Sequence, residues 1–179
     1  MDYLAKLTLN HQIVGVVETH GNAMELQRFA DSYNDLFEVV YTLPVGEWSG
    51  GCLLMFSKDL LSQASSVDDP NYLVEGRVIS RRLNFGEHHI RATLVHNFGL
   101  PNETALLENI AGYVHAARSD PKYLSNAITF GDFNFPAIGE TYQRLTPCGD
   151  EGPCIRNKWD RVSVQRKWYK ALGHGTEIH

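Results

Sequence analysis

The chain has 179 residues, of which 43% are hydrophobic, and a formal net charge of −5. A chain of this length fits one domain of ordinary size, and so large an apolar fraction excludes intrinsic disorder. The acidic balance excludes a broad, non-specific basic surface for nucleic acid, although it leaves room for a local basic cleft. We therefore expect a single domain over residues 1–179 with a hydrophobic core.

The sequence lacks the marks of a membrane or secreted protein. No apolar stretch reaches membrane-spanning length, and the N-terminal residues show no secretory pattern. Three cysteines are an odd number for a disulfide framework. Cys52 lies within an apolar run, so we predict that its side chain is small and buried. Neither a disulfide nor a zinc site is expected at Cys148 and Cys154. We expect an intracellular protein, nuclear or cytoplasmic, with no membrane partner.

The first part of the chain predicts two helices and two strands. Residues 2–10 predict a short helix, or the end of a longer one, and the apolar run 13–17 predicts the first strand. Asn22 is followed three residues later by Glu25, which is close to a capping box, so a second helix is expected to begin there. Residues 37–42 predict the second strand.

The middle of the chain is rich in predicted strands. Residues 52–56 are apolar throughout and predict a third strand, whereas residues 57–69 are polar and predict irregular structure. Residues 72–83 alternate in part and lead into a tight hairpin connection over residues 84–89. In the partner strand, alternate positions are expected to share one side of the sheet: Ile90, Ala92, Leu94 and His96.

The last part predicts two more helices and one more strand. A helix is expected to begin at Pro101 or Asn102, a strand leads to Asp132, and residues 159–172 have a helical pattern. Strand-to-strand connections mixed with a few helices indicate a layered α+β or α/β domain.

Two groups of basic residues stand out in this acidic chain, one near the middle and one near the end. Runs of charge usually form solvated surfaces, so we expect both groups to face solvent. Their members are Arg77, Arg81, Arg82 and Arg91 in the first group and Arg156, Lys158, Arg161, Arg166 and Lys167 in the second.

Two apolar runs each end in an acidic residue. The run over residues 13–17 leads to Glu18, and the run before Gly131 leads to Asp132. A carboxylate just past a buried strand lies at the rim of a sheet, where layered folds open their clefts. Two acids placed alike therefore predict a shared site for a hard cation, and oxygen ligands with few protein donors suit Mg²⁺. His20 is interpreted as a loop histidine.

Three strings occur in the order found in one known family. They are Val16-Val17-Glu18-Thr19, the segment Gly50-Gly51 followed by an apolar run to Ser57, and Gly131-Asp132-Phe133-Asn134. Over residues 12–135 the chain resembles the endonuclease/exonuclease/phosphatase superfamily, which has the DNase-I-like fold. Within that superfamily it resembles the endonuclease domain of non-LTR (LINE-type) retrotransposons. The resemblance implies an α+β domain, a four-layered α/β sandwich.

The resemblance also assigns roles to individual residues. Glu18 matches the metal-binding glutamate of the family, and Asp132 matches the aspartate that orients or activates the water nucleophile. Asn134 matches the asparagine that contacts the scissile phosphate. The family usually has Asn-x-Tyr where this chain has residues 96–99, so Phe98 stands in place of a tyrosine hydroxyl. Either His96 or Asn97 is therefore a candidate polar contact to the phosphate.

The sequence departs from the family pattern at both ends. The family opens with a strand that carries an asparagine, whereas only a short helix-like segment precedes Ile13 here. The family closes with an Asp-His pair that acts as general acid and base, and the segment containing His174 and His179 does not match it. We therefore expect a domain truncated at both ends, without the opening and closing strands, and hydrolysis well below that of a complete member.

The resemblance implies metal-dependent hydrolysis of phosphodiesters, with Mg²⁺ or Mn²⁺ as cofactor and DNA as substrate. Two alternatives stay open. One is a catalytically inactive remnant of such a domain, and the other is a phosphatase of the same fold that acts on a small phosphoester. The sequence identifies no protein partner.

Overall fold

A computed structural model of the chain describes residues 3–45, 50–97 and 127–132. All of these residues belong to one compact unit. None of the helices in these three ranges has the length and apolar character needed to span a membrane.

The first part of the chain forms two helices and a three-stranded sheet, here called the first sheet. Strand β3 lies at its centre and pairs antiparallel with β1 on one side and β2 on the other. In chain order the elements are α1 (Tyr3–Asn10), β1 (Ile13–Val17), α2 (Ala23–Tyr33), β2 (Phe37–Pro44) and β3 (Gly50–Ser57).

Helix α2 begins with the predicted capping box. The side chain of Asn22 accepts hydrogen bonds from the backbone N–H groups of Met24 and Glu25, both at 3.0 Å. The Glu25 carboxylate in turn accepts a 2.9 Å bond from the backbone N–H of Asn22. These bonds satisfy N–H groups that the first helical turn leaves without partners, so they fix where the helix starts.

The remaining described residues form one helix and a five-stranded sheet, here called the second sheet. Strands β4, β6, β7 and β8 follow one another across it, and β5 also pairs with β6. All pairs are antiparallel except β7 with β8, which is parallel. The elements are α3 (Lys58–Gln63), β4 (Ser66–Val67), β5 (Asn71–Val74), β6 (Val78–Phe85), β7 (His88–His96) and β8 (Ala127–Asp132).

The main hydrophobic core lies between the two sheets. Leu54 and Phe56 on β3 face Ile79 on β6 and Leu94 on β7, and all four are fully or almost fully buried. The opposite face of β3 carries Leu53 and Met55, which pack with apolar side chains of α1 and α2 in a second cluster. The described residues thus form a layer of helices, the first sheet and the second sheet, in that order.

An ion pair between Arg81 and Glu38 joins the two sheets. The buried guanidinium of Arg81 on β6 lies 2.7 Å from the carboxylate of Glu38 on β2. The same side chain donates a 2.9 Å hydrogen bond to the backbone carbonyl of Asp68 and lies over the ring of Phe56, 5.7 Å from its centroid. The prediction that the middle arginines form a solvated face is therefore wrong for Arg81, because its partners are supplied by both sheets.

The structure confirms the predicted first helix, the first strand and the hairpin of the second sheet, and it corrects two segments. Residues 57–69, predicted to be irregular, contain α3 and β4. The hydroxyl of Ser57 caps α3 by accepting a 3.1 Å bond from the N–H of Leu60, and Leu60 alone is buried on that helix, so the apolar signal is weak. Residues 72–83, read as one strand, are divided between β5 and β6 by a turn at Gly76, whose φ is +69°.

Several predicted features lie outside the described residues. They are the helix from Pro101 or Asn102, the helix over residues 159–172, the second basic group, and the pair Cys148 and Cys154.

The substitution Leu54→Ala is expected to lower the free energy of unfolding by about 2–5 kcal/mol, because it leaves a cavity between the sheets. Leu54 is 0% exposed, whereas Leu9 on α1 is 70% exposed. Leu9→Ala removes the same atoms and should change stability by less than about 0.5 kcal/mol. Urea denaturation of both variants measures the difference, and equal losses would contradict the assigned core.

Cys52 is expected to resist alkylation in the folded protein. Burial raises the pKa of its thiol to about 12, so almost no thiolate is present at mildly alkaline pH. Iodoacetamide followed by peptide mapping should label Cys52 only after the protein is unfolded in urea. Labelling in native buffer at the rate of an unfolded thiol would show that this strand is open to solvent.

Candidate active site

The ends of three strands meet at one rim of the two sheets. Strand β1 ends at Val17, just before Glu18, while β7 ends at His96 and β8 at Asp132. Because β7 and β8 run parallel with His96 beside Asp132, the two strands bring these residues to the same level of the sheet. The backbone N–H of Asn97 donates a 2.8 Å hydrogen bond to the carbonyl of Asp132, which holds the two strand ends together.

The first sheet contributes Glu18 to this rim. Its carboxylate Oε1 lies 3.3 Å from Nε2 of His96 on the second sheet. The His96 side chain is 1% exposed and that of Glu18 is 58% exposed. The imidazole is therefore fixed within the protein, whereas the carboxylate keeps one side open to solvent and to a ligand.

Burial and three charges act on His96. Burial lowers the pKa of its imidazole, and the carboxylates of Glu18 and Asp132 oppose this effect, while the cation of Arg77 adds to it. The net direction is downward, so the ring is neutral at neutral pH. A neutral imidazole donates a hydrogen bond from one nitrogen and accepts at the other, so His96 can offer a single N–H donor at this rim.

The backbone around Glu18 is strained. Glu18 has φ +56° and His20 has φ +48°, in the left-handed region that residues with a side chain seldom adopt. Two backbone bonds to β3 hold this conformation, from the N–H of Thr19 to the carbonyl of Gly51 at 3.3 Å and from His20 to Gly50 at 3.5 Å. Such strain costs about 1–2 kcal/mol per residue and occurs preferentially at functional sites.

The donor set fits a hard divalent cation. The carboxylates of Glu18 and Asp132 are both exposed and both act on the same imidazole. Mg²⁺ in phosphoryl chemistry is typically held by one or two carboxylates, with water and substrate phosphate supplying the other oxygens. Across residues 3–45, 50–97 and 127–132, no three His, Cys, Asp or Glu side chains are placed to enclose a metal. A site here would therefore take most of its ligands from water and phosphate.

The structure brings four of the predicted site residues to one rim: Glu18, His96, Asn97 and Asp132. Their roles in binding and catalysis stay predictions. Asn134 and Phe98 lie outside the described residues. Sequence reasoning missed Arg77, which it placed in the solvated basic group. Its position directly before β6, at the same rim, was hidden because the turn at Gly76 was not recognised.

Replacing Glu18 should expose the cost of its backbone conformation. Asparagine adopts the left-handed region more readily than other residues, so Glu18→Asn should be more stable than Glu18→Gln by about 1 kcal/mol. Glutamine is the matched control because it removes the same charge and keeps the length of the side chain. Thermal or urea unfolding measures the difference, and equal stability of the two variants would show that the residue is not strained.

Comparison of the chain with known proteins identifies its fold. No protein-family model and no curated protein matches the chain. Among solved structures, the chain is similar to the AP endonuclease LMAP from Leishmania major, with 14% identity and a TM-score of 0.64 over 94% of this chain. It is also similar to truncated TDP2 from Caenorhabditis elegans, with 14% identity and a TM-score of 0.51 over 74% of this chain.

The aligned part spans 60% of the endonuclease structure and 54% of the TDP2 structure. At this level of identity the likeness concerns the fold, and both structures are DNase-I-like. Two packed sheets, a helical layer, and strand ends that meet at one rim are the features that the sequence led us to expect. The chain therefore has the α+β DNase-I-like fold.

Proposed function

We propose that this protein is a metal-dependent phosphodiesterase that acts on DNA, an endonuclease of the retroelement type. The observation that carries the proposal is that Glu18 and Asp132 both lie close to the buried His96. The two acids come from different sheets and are 114 positions apart in the sequence, as the difference of their residue numbers gives. Their convergence at an open rim is what hydrolysis of a phosphodiester requires of the protein.

The side chains at this rim would have different roles in hydrolysis. Glu18 and Asp132 offer exposed carboxylate oxygens that would hold Mg²⁺ or Mn²⁺ together with water. When bound, the metal would neutralise charge on the phosphate. Asp132 would also orient the attacking water, as the family resemblance implies. His96 and Asn97 are both buried, and the ring of His96 has the Glu18 carboxylate within reach of Nε2, so the part proposed for His96 is to hold that carboxylate in place.

Three observations favour DNA as the substrate. The fold is shared with a protein named as an AP endonuclease. The cation of Arg77 lies close enough to the site to act on the pKa of His96, and a cation there would attract the phosphate backbone. The strings around Glu18, Gly50 and Asp132 resemble retroelement endonucleases in particular. Because the chain has a net charge of −5, its overall charge does not attract DNA, so attraction has to come from cations at this rim.

The purified chain should nick supercoiled plasmid in the presence of Mg²⁺ or Mn²⁺ and lose this activity in EDTA. Glu18→Gln and Asp132→Asn should each reduce nicking by about 10²–10⁴-fold, as the removal of one catalytic group typically does. Glu87→Gln is the matched control, because Glu87 is an exposed acid at the tip of the β6–β7 hairpin, away from the rim. It should leave the rate unchanged.

The same variants can be tested on three substrates to define the activity. A plasmid, a duplex with one abasic site and a small phosphoester separate general nicking, abasic-site incision and phosphatase activity. Hydrolysis of the small phosphoester alone would replace DNA as the substrate. Nicking that survives both acid substitutions would show that the activity does not come from this site, and no hydrolysis of any substrate would support the inactive alternative.

A further inference from the structure

We infer that Gly51 and Gly76 form a bridge that sets the distance between Glu18 and His96. We call this pair the glycine bridge. This inference rests on the proposed function only in assuming that Glu18 and His96 act together at a site for a metal and a phosphate. A path of backbone hydrogen bonds through these two glycines joins the first sheet to the second next to the site.

The first half of the path connects Gly51 to the loop that carries Glu18. The carbonyl of Gly51 accepts the 3.3 Å bond from the N–H of Thr19, the residue after Glu18. Gly51 has φ +84°, and a Cβ built on it would overlap the side-chain oxygen of Thr19. That oxygen is buried and has no hydrogen-bond partner among the described residues. It therefore occupies the place that a side chain at position 51 would need.

The second half of the path crosses to the second sheet. The N–H of Gly51 donates a 2.9 Å bond to the carbonyl of Gly76 in the turn before β6. The same carbonyl lies 3.6 Å from the Sγ of Cys52. The N–H of Gly76 returns a 2.9 Å bond to the hydroxyl of Thr42 on β2. Both polar groups of Gly76 thus face the first sheet.

Gly76 is also crowded. It is buried and has φ +69°, and a Cβ at this position would lie 2.8 Å from Val45 Cγ2 and 2.9 Å from the carbonyl oxygen of Leu43. Since real Cβ atoms do not approach backbone this closely, a side chain here would push the turn away from β2.

The path ends at His96. Arg77 follows Gly76, and its carbonyl accepts a 2.8 Å bond from the backbone N–H of His96. The route from Glu18 to His96 thus runs through residues 19, 51, 76 and 77, and the 3.3 Å contact between the two side chains closes it into a ring. Glycines at positions 51 and 76 let the two backbones approach closely, so the ring closes at this separation.

A longer path would separate Glu18 and His96 without altering either side chain. Substitutions that act on site residues through their supports typically reduce metal affinity by about 10–100-fold. A displacement of about 1 Å can reduce the rate of hydrolysis by about 10²-fold. The glycines are therefore positioning residues, which act through Glu18 and His96.

The test compares Gly51→Ala and Gly76→Ala with Gly86→Ala. Gly86 has a left-handed φ of +64°, but a Cβ there would meet nothing within 4 Å, and it lies at the hairpin tip. All three variants introduce backbone strain, and only the first two disturb the bridge. We expect the first two to weaken Mn²⁺ binding, measured by electron paramagnetic resonance, by about 10-fold or more. They should also shift the ¹⁵N resonances of the His96 ring, whereas Gly86→Ala should change neither readout.

A double variant tests the crowding itself. Thr19→Ala removes the hydroxyl that a Cβ at position 51 would meet, so Thr19→Ala with Gly51→Ala should recover part of the Mn²⁺ affinity and of the His96 shifts. If Gly51→Ala alone does not fold, the double variant still tests the inference, because we then expect the double variant to fold.

Two results would overturn the inference. One is that Gly51→Ala and Gly76→Ala lose stability as Gly86→Ala does but keep the Mn²⁺ affinity and the His96 resonances of the natural chain. The other is that the double variant recovers nothing. The failure of the proposed function would differ, because the natural chain would then bind no Mn²⁺, while the His96 resonances would still report whether the bridge sets the geometry.

Discussion

The described structure depends on the burial of strand β3 on both of its faces. One face packs against the second sheet through Leu54 and Phe56, and the other packs against the helical layer through Leu53 and Met55. A strand so placed must be apolar throughout and must pair on both edges, since no water reaches its backbone. Strands β1 and β2 satisfy this requirement. The register of β1 against β3 then determines where β1 ends and so where Glu18 lies.

The rim combines an enclosed group with exposed ones. His96 is enclosed, with its backbone bonded to Arg77 and its ring beside two acids. Glu18 and Asp132 are exposed, so their carboxylates can adjust to a cation and its water. This division suits the proposed function, in which exposed carboxylates would hold a cation while an enclosed group keeps one of them in position.

Much of this arrangement follows from local sequence signals. Apolar runs that end in an acid placed Glu18 and Asp132 correctly at strand ends, and simple alternation placed His96 on the same side of β7 as Leu94. These predictions succeed because burial and the two-residue repeat of a strand act over a few neighbouring positions.

Other features depend on contacts between distant segments. The inward position of Arg81 requires Glu38 from another sheet, and the left-handed conformation of Glu18 is imposed by β3. Glutamate has no preference for that conformation, so no local pattern could predict it. Helix α3 was missed because it buries a single leucine.

The parallel pairing of β7 with β8 has a consequence for how the protein folds. Strands β6 and β7 are joined by two residues, Gly86 and Glu87, so their pairing closes a very short loop. Strand β8 is separated from β7 by residues 97–126, and each doubling of loop length costs about 0.6 kcal/mol of chain entropy. Contacts that close long loops tend to form late. The β6–β7 hairpin would then form before β8 pairs with it, so Asp132 would come to lie beside a His96 that the hairpin already holds.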